Sequence, residues 1–450
     1  MKVREVLLAS AAFGAVVASP PLAADTLTVA GSVRARYEAL SGQSRAGFKE
    51  DDQYLTERTI VEGQYSAGNW RVVGELTDSR AWLADRRSAI SANEVNALEP
   101  TQLYVAWGRN GLFGNDSTLA AEAGRFAVNL GSRRLIANDD YRNTGNSNLG
   151  LRFDAKAQGW TGTALYLLPT ARLPEDIDSL LANDVRLDRE SAKAVLWGGQ
   201  LASPRRLLGG SVELLFLKFK ERDAPTRPTR DRDLDTWNVR WFSDAAPSRW
   251  DYEFETAFQH GRARTGATAT APLRPVDASF VHGRVGYLWD GAGKPRVAFE
   301  YDWVSGDTGP DHIHRYDTLF GGRRFELAPS GLYNQVGRAN LSAPGLRYES
   351  TPSPRLDLMA TWKLLYLASR TDAFSTTGVR DARGLSGRFA GQQFDLRARY
   401  WLVPRKLRFE LDTLWLAKER FLETAPNARP GDTRFYSLNL TWAFQGLNGR

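Results

Sequence analysis

The chain has 450 residues, a formal net charge of +7 and no Cys, which excludes disulfides, thiolate metal sites and cysteine nucleophiles. An apolar content of 42% excludes a disordered chain. A bundle of transmembrane helices needs apolar runs of roughly 20 residues, and none follows the N-terminus. There remain a large soluble protein and a transmembrane β-barrel, whose polar lumen keeps the mean hydropathy low, here −0.41.

Residues 1–24 have the pattern of a secretory signal peptide. Lys2 and Arg4 form a basic start, Val6–Val17 an apolar and small-residue core, and Pro21–Ala24 a small-residue cleavage region. The core is too short to span a bilayer. We therefore predict that residues 1–24 are removed during export and that residues 25–450 form a single domain outside the cytoplasm.

Beyond residue 25, apolar and polar residues alternate with the period of two that is typical of β-strands. Residues 250–259 place four aromatic residues on one face and Asp251, Glu253 and Glu255 on the other. Helical periodicity is confined to connectors such as residues 174–194. Many of the 14 Trp stand at strand ends, as in the aromatic girdles of membrane barrels. Alternation alone also fits a soluble sandwich.

The lengths of the connectors favour the barrel. Eighteen candidate strands can be placed, and long connectors such as residues 305–340 alternate with short ones such as residues 158–159. Long outer loops and short periplasmic turns are typical of up-and-down barrels with an even number of strands. We predict an all-β, antiparallel transmembrane barrel of about 18 strands in the outer membrane of a Gram-negative bacterium. The strands are predicted to begin near residues 27, 54, 70, 101, 118, 148, 160, 195, 208, 234, 250, 278, 294, 341, 355, 391, 406 and 434.

The polar face of each strand should face the lumen, so alternation also predicts the pore lining. Barrel closure brings strands 1–3 beside strands 16–17, and strands 11 and 13 lie across from them. Arginine offers carboxylates two parallel hydrogen bonds, and rings of arginine make pores anion-selective. Mutual pairing of inward charges, for example with Glu38 or Glu410, is the open alternative. The basic wall comprises Arg34, Arg36, Arg58, Arg71, Arg397, Arg399 and Arg408, and the acidic wall comprises Asp251, Glu253, Glu255, Glu300 and Asp302.

Several segments, in chain order, resemble the alginate export family of outer-membrane porins. The resemblance implies a monomeric barrel with an arginine-rich constriction that passes an anionic polyuronate. It matches Arg125 and Arg338 to pore arginines of the family, with Arg408 as a third. Two features depart from the family: Gln393 replaces a carboxylate, and Val403–Arg405 is too short for a periplasmic lid loop. The segments are Glu75–Arg80, Gly124–Arg125, Leu130–Leu135, Asp140–Thr144, Tyr301–Asp307, Tyr316–Phe320, Arg338–Leu341 and Gly391–Leu396.

We therefore expect an outer-membrane channel with an arginine-lined lumen for an anionic solute. One alternative is an uptake porin for small organic anions or sugars, and another is an outer-membrane or secreted β-rich enzyme. His312 and His314, with Asp307 and Asp311, are the best candidates for a metal or acid–base site, but a long outer loop should place them in solvent. We predict no catalytic residue, metal or cofactor.

The expected partners follow from this assignment. They are outer-membrane lipid and the anionic polysaccharide or small anionic solute, and the resemblance adds periplasmic secretion components. Export and the dispersed arginines argue against nucleic acid. We expect the barrel to be a monomer.

Overall fold

The computed structural model describes residues 22–449 except residues 139, 206–208, 225–226, 324–325, 328 and 330. The predicted signal peptide, residues 1–24, lies outside the described residues except for its last three, which begin the first strand.

The described residues form eighteen antiparallel strands in one sheet. Each strand pairs with the next along the chain, and β18 pairs with β1, so that the sheet closes into a barrel. The strands are β1 (Leu22–Ser41), β2 (Asp52–Gly68), β3 (Trp70–Trp82), β4 (Asn96–Asn110), β5 (Thr118–Phe126), β6 (Asn148–Ala157), β7 (Trp160–Pro169), β8 (Ala194–Ala202), β9 (Ser211–Glu221), β10 (Asp233–Phe242), β11 (Arg249–Arg264), β12 (Leu273–Leu288), β13 (Arg296–Val304), β14 (Leu341–Ser353), β15 (Leu356–Tyr366), β16 (Phe389–Val403), β17 (Leu407–Lys418) and β18 (Thr433–Gly449).

The observed strand starts agree closely with those predicted from alternation. The largest differences are at β1, β4 and β12, which begin at residues 22, 96 and 273 rather than near 27, 101 and 278. The alternating connector lengths are also present, because residues 305–340 separate β13 from β14 whereas residues 158–159 separate β6 from β7. In a meander, this alternation places all the long loops at one rim and all the short turns at the other.

The two faces of the sheet have opposite character. On β11, Trp250 and Phe258 are exposed on the outside, whereas Asp251, Glu253 and Glu255 are buried on the inside. A closed barrel has no unpaired strand edge, so its outer face can be apolar without exposing backbone polar groups. The apolar outside and polar inside are those of a sheet surrounded by lipid.

Two short helices lie in the loops. Helix α1 (Ile177–Ala182) falls within the connector that was predicted to contain helix, and the Asp176 side chain caps it by accepting a hydrogen bond from the Ser179 N–H. Helix α2 (Arg420–Thr424) precedes β18. Within the described part of the chain, neither helix has the length and apolar composition needed to cross a membrane.

Candidate pore constriction

The loop between β5 and β6, residues 127–147, lies inside the barrel against the basic wall. Arg34 donates a hydrogen bond to the Asp140 carbonyl at 2.8 Å. Arg36 donates to the Tyr141 carbonyl at 2.5 Å and its guanidinium lies 4.6 Å from the centre of the Tyr141 ring. Arg58 donates to the Asp140 carboxylate at 2.8 Å. The β5–β6 loop is therefore fixed to β1 and β2 by three inward arginines.

The same loop is also anchored on the opposite side of the barrel. Arg134 contacts Glu253 of β11 at 2.6 Å, and it also pairs with Glu255. Its Nε lies 3.2 Å from Glu326 of the β13–β14 loop. Burial opposes the charge of Arg134, but the three carboxylates outweigh it and raise its pKa well above the ordinary value. The β5–β6 loop thus crosses the lumen between two walls.

The β13–β14 loop, residues 305–340, packs on the β5–β6 loop. Phe320 N–H donates to the Leu135 carbonyl and the Ala137 N–H donates to the Phe320 carbonyl, both at 3.0 Å. This loop also reaches the basic wall, where the Leu332 N–H donates to Glu38 at 2.8 Å. Residues 305–340 therefore fold inward, and the two loops together narrow the lumen.

The other members of the basic wall lie nearer the short-turn rim. Arg71 pairs with Glu122 at 3.1 Å, and Arg399 pairs with Glu410. Two further members make longer contacts on the same wall: Arg397 lies 3.9 Å from Asp357, and Arg408 lies 3.8 Å from Glu410 and 5.7 Å from the centre of the Trp401 ring.

Every member of the acidic wall has a cationic or imidazole partner on a loop or on a strand one or two places away in the sheet. The two walls therefore differ in charge less than the sequence pattern predicts, because basic residues of β10, β12, β13, β14, β15 and the β5–β6 loop pair with the acids. The contacts are Asp251 with Arg296 (2.5 Å), Glu253 with Arg134 (2.6 Å), Arg240 (2.9 Å) and Arg284 (2.8 Å), Glu255 with Arg134, Glu300 with Arg347 (2.7 Å) and Lys363 (3.3 Å), and Asp302 with His282 (2.7 Å) and Lys363 (2.9 Å).

Comparison with known proteins decides the family. The family model described as alginate export matches residues 25–423. The chain belongs to the alginate export family. The predicted family and the predicted barrel are thus confirmed, and family and fold together indicate a channel of the Gram-negative outer membrane rather than an enzyme.

Solved porins share this fold at low sequence identity. OpdK of Pseudomonas aeruginosa, in a structure with vanillate, is 12% identical, with a TM-score of 0.57 over 93% of this chain and 99% of that one. OccK11 (OpdR) of the same organism is 13% identical, with a TM-score of 0.56 over 94% of this chain and 96% of that one. These likenesses concern the fold alone. No curated protein matches the sequence.

Two arginines matched to the family's pore residues lie elsewhere than expected. Arg125 stands opposite Leu103 and Leu149 in the sheet register, both exposed on the outer face, and it pairs with Glu99 and Glu190. The register of β5 is continuous, and Ala123 likewise stands opposite the exposed Val105 and Leu151, so alternation itself gives Arg125 the outward position and the inward placement followed only from the match to the family.

The other displaced arginine is Arg338. It is 2% exposed, and the Glu326 carboxylate and the Gly322 carbonyl enclose it within the β13–β14 loop. The placement of Arg125 and Arg338 in the pore lining is therefore wrong.

Several residues of the constriction were missing from the predicted pore lining. Arg240, Arg284 and Arg347 have the inward parity of their strands, so alternation could have identified them. Arg134 and Asp140 occur in segments that carry the family resemblance, but they lie in a loop, where no periodicity shows which way a side chain points.

The histidine pair of the β13–β14 loop stands apart from the constriction. The rings of His312 and His314 are stacked with centres 5.8 Å apart, and His314 Nδ1 lies 2.7 Å from the Asp277 carbonyl oxygen. Across the described residues, no group of three or more His, Cys, Asp or Glu is arranged to hold a metal ion.

Proposed function

We propose that this channel passes an anionic solute that carries carboxylates and that Arg34 and Arg58, here called the arginine pair, select it. The observation that supports the proposal is the nature of the partners of the pair. Arg34 donates to the carbonyls of Asp140 and Arg142 and to the amide oxygen of Asn143, all of them neutral. Among the described residues, no carboxylate lies within salt-bridge distance of Arg34, and only Asp140 lies within that distance of Arg58.

The arginine pair therefore keeps an excess of positive charge at the constriction. The two residues are directly opposite each other on β1 and β2, and both are held by the loop that narrows the lumen. Fixed guanidinium groups in a narrow pore attract anions and repel cations. Guanidinium also matches the geometry of carboxylate better than that of a spherical anion.

Two kinds of carboxylate solute fit this proposal. The family model favours an anionic polysaccharide leaving the cell, in which case periplasmic secretion components would be partners. The likeness to OpdK, which has been solved with vanillate, a small carboxylate, favours uptake of a small organic anion. A closed barrel with its own constriction needs no second copy, so we propose that the channel functions as a monomer in outer-membrane lipid.

A flux assay tests the proposal. The purified protein is inserted into liposomes, and the flux of labelled glucuronate is compared with that of labelled glucose. The two sugars have similar size and differ in one carboxylate. We expect the wild type to pass glucuronate faster and the double variant Arg34→Gln, Arg58→Gln to lose this preference. Arg205→Gln is the matched control, because Arg205 lies in the β8–β9 turn with a side chain 67% exposed. Equal fluxes of the two sugars through the wild type would refute the proposal.

The same assay separates the two kinds of solute. Uronate oligomers of increasing length are added in place of glucuronate. Flux that persists for long oligomers supports passage of a polysaccharide, and flux confined to the monomer supports a small anion.

A further inference from the structure

Asp140 is a carboxylate placed where a solute carboxylate should bind. Its Oδ1 accepts a hydrogen bond from Arg58 Nη2 at 2.8 Å, while its backbone carbonyl accepts from Arg34 Nη1 at 2.8 Å and from Arg58 Nη1 at 3.2 Å. The backbone of the loop is therefore fixed independently of the side chain. The carboxylate is an additional ligand that the loop presents to the arginine pair.

The contact between Asp140 and Arg58 uses only part of the arginine. A carboxylate bound in the two-point geometry contacts Nε and Nη2 on one edge of the guanidinium. Asp140 contacts Nη2, whereas Arg58 Nε is buried and has no hydrogen-bond partner among the described residues. Arg34 Nε is in the same state. Arg34 and Arg58 are only 6% and 7% exposed, so each has an unsatisfied buried donor, which costs free energy until a ligand accepts from it.

Asp140 itself faces open space. Its side chain is 56% exposed, and its second carboxylate oxygen has no partner in the described part of the chain. Although the surrounding protein partly desolvates it, Arg58 and Arg34 hold the pKa of Asp140 below its usual range, so the group is charged at neutral pH. A solute in the lumen can reach the site, and it meets a carboxylate already bound there.

We propose that Asp140 is a tethered competitor for the carboxylate subsite formed by the arginine pair. This inference rests on the proposed function. When the Asp140 side chain moves aside, the solute carboxylate takes its place on Arg58 and accepts from Nη2 and Nε together. When the solute leaves, Asp140 returns. Transport requires binding that is strong enough to admit the solute and weak enough to release it, and an internal competitor lowers the affinity without removing the arginines.

The test is block of single-channel current by glucuronate in planar bilayers. Asp140→Asn keeps the size of the side chain and the backbone contacts but removes the competing charge. We expect its half-blocking concentration of glucuronate to be about tenfold lower than that of the wild type, the effect of about one charge-assisted hydrogen bond. Asp140→Ala should show the same direction and serves if the Asn variant does not assemble. Asp140→Glu retains the carboxylate, so its half-blocking concentration of glucuronate should equal that of the wild type.

Two further variants identify the site. Asp140→Asn combined with Arg58→Lys should lose the gain, because lysine has no edge with two donors. Asp116→Asn, in the exposed β4–β5 turn, makes the same charge change away from the constriction. Its half-blocking concentration of glucuronate should equal that of the wild type. An unchanged or higher half-blocking concentration in Asp140→Asn, in a channel whose wild type prefers glucuronate, would overturn this inference alone. A wild type without that preference would overturn the proposed function.

Discussion

Arg34 and Arg36 are two residues apart on the same face of β1, yet only Arg36 has a carboxylate partner in the part of the chain that the structure describes. Arg36 lies 3.1 Å from Glu38, and both side chains are fully buried. Arg34 has only neutral acceptors around it. The number of inward arginines therefore overstates the charge that a solute encounters, because only those without a carboxylate partner contribute fully.

This difference predicts opposite effects for two substitutions. Arg34→Ala should reduce anion preference with little loss of stability. Arg36→Ala should leave Glu38 buried without its partner, which costs about 3–5 kcal/mol, and should lower the unfolding temperature while changing selectivity less. Permeability ratios and thermal unfolding in detergent check both effects. The assignment would be wrong if the two variants had the same profile.

Glu94, in the loop before β4, makes stability depend on pH. It is 3% exposed, and burial, opposed by hydrogen bonds from Ser91 and reinforced by Glu38, raises its pKa to about 7. The unfolded chain binds this proton only below about pH 4.3, so the folded protein gains stability as the pH falls from 7 and loses it as the pH rises through 7.

Glu94→Gln removes this dependence because the amide does not titrate. At about pH 8 the variant should unfold at a higher temperature than the wild type, and at about pH 5 the two should unfold at similar temperatures. Circular dichroism during heating measures both. A difference that is the same at both pH values would show that Glu94 is not the titrating group.

At the scale of elements, the two inward loops form one unit. Gly321 lies where the β13–β14 loop meets the β5–β6 loop, and a Cβ there would be 1.8 Å from the Arg134 carbonyl oxygen. No side chain can fit, because the obstacle is backbone. The close contact between the two loops thus requires glycine at this position. The pairing of the strands on either side does not require it.

Gly321→Ala should therefore separate the loops and leave the barrel folded. We expect a larger single-channel conductance and faster proteolysis of residues 305–340, with an unchanged β-sheet spectrum. Gly291→Ala is the control, because a Cβ at Gly291 meets nothing within 4 Å. Wild-type conductance in Gly321→Ala would mean that this contact does not set the width of the pore.

The strands could be predicted from the sequence and the constriction could not, for a physical reason. Strand bounds and the direction of strand side chains follow from a local period of two, so the sequence could indicate on which face of the sheet Arg34 and Glu253 lie. The contact between Arg134 and Glu253 joins residues 119 positions apart, and it depends on a loop turning inward. Arg125 was misplaced for a different reason, because the match to the family was followed against the alternation of its own strand.

At the scale of the whole molecule, barrel closure determines where the charges of the chain come together. Strands from both ends of the chain meet at the β1–β18 pairing, which gathers the basic wall, whereas the acidic wall is largely compensated by its own arginines. The formal charge of +7 is thus less informative than the position of the arginine pair at the narrow part of the lumen, where two guanidinium groups face a single carboxylate from the residues that the structure describes.

The reversal potential of the channel in a KCl gradient shows whether the arginine pair makes the pore selective for anions. Purified protein is inserted into planar bilayers, and the wild type is compared with Arg34→Gln, Arg58→Gln and with Arg205→Gln. For the wild type and for Arg205→Gln we predict a reversal potential with the sign of the chloride equilibrium potential. For the double variant we predict a shift of the reversal potential toward zero. A wild-type potential of the sign set by potassium, or a double variant indistinguishable from the wild type, would contradict this role of the arginine pair.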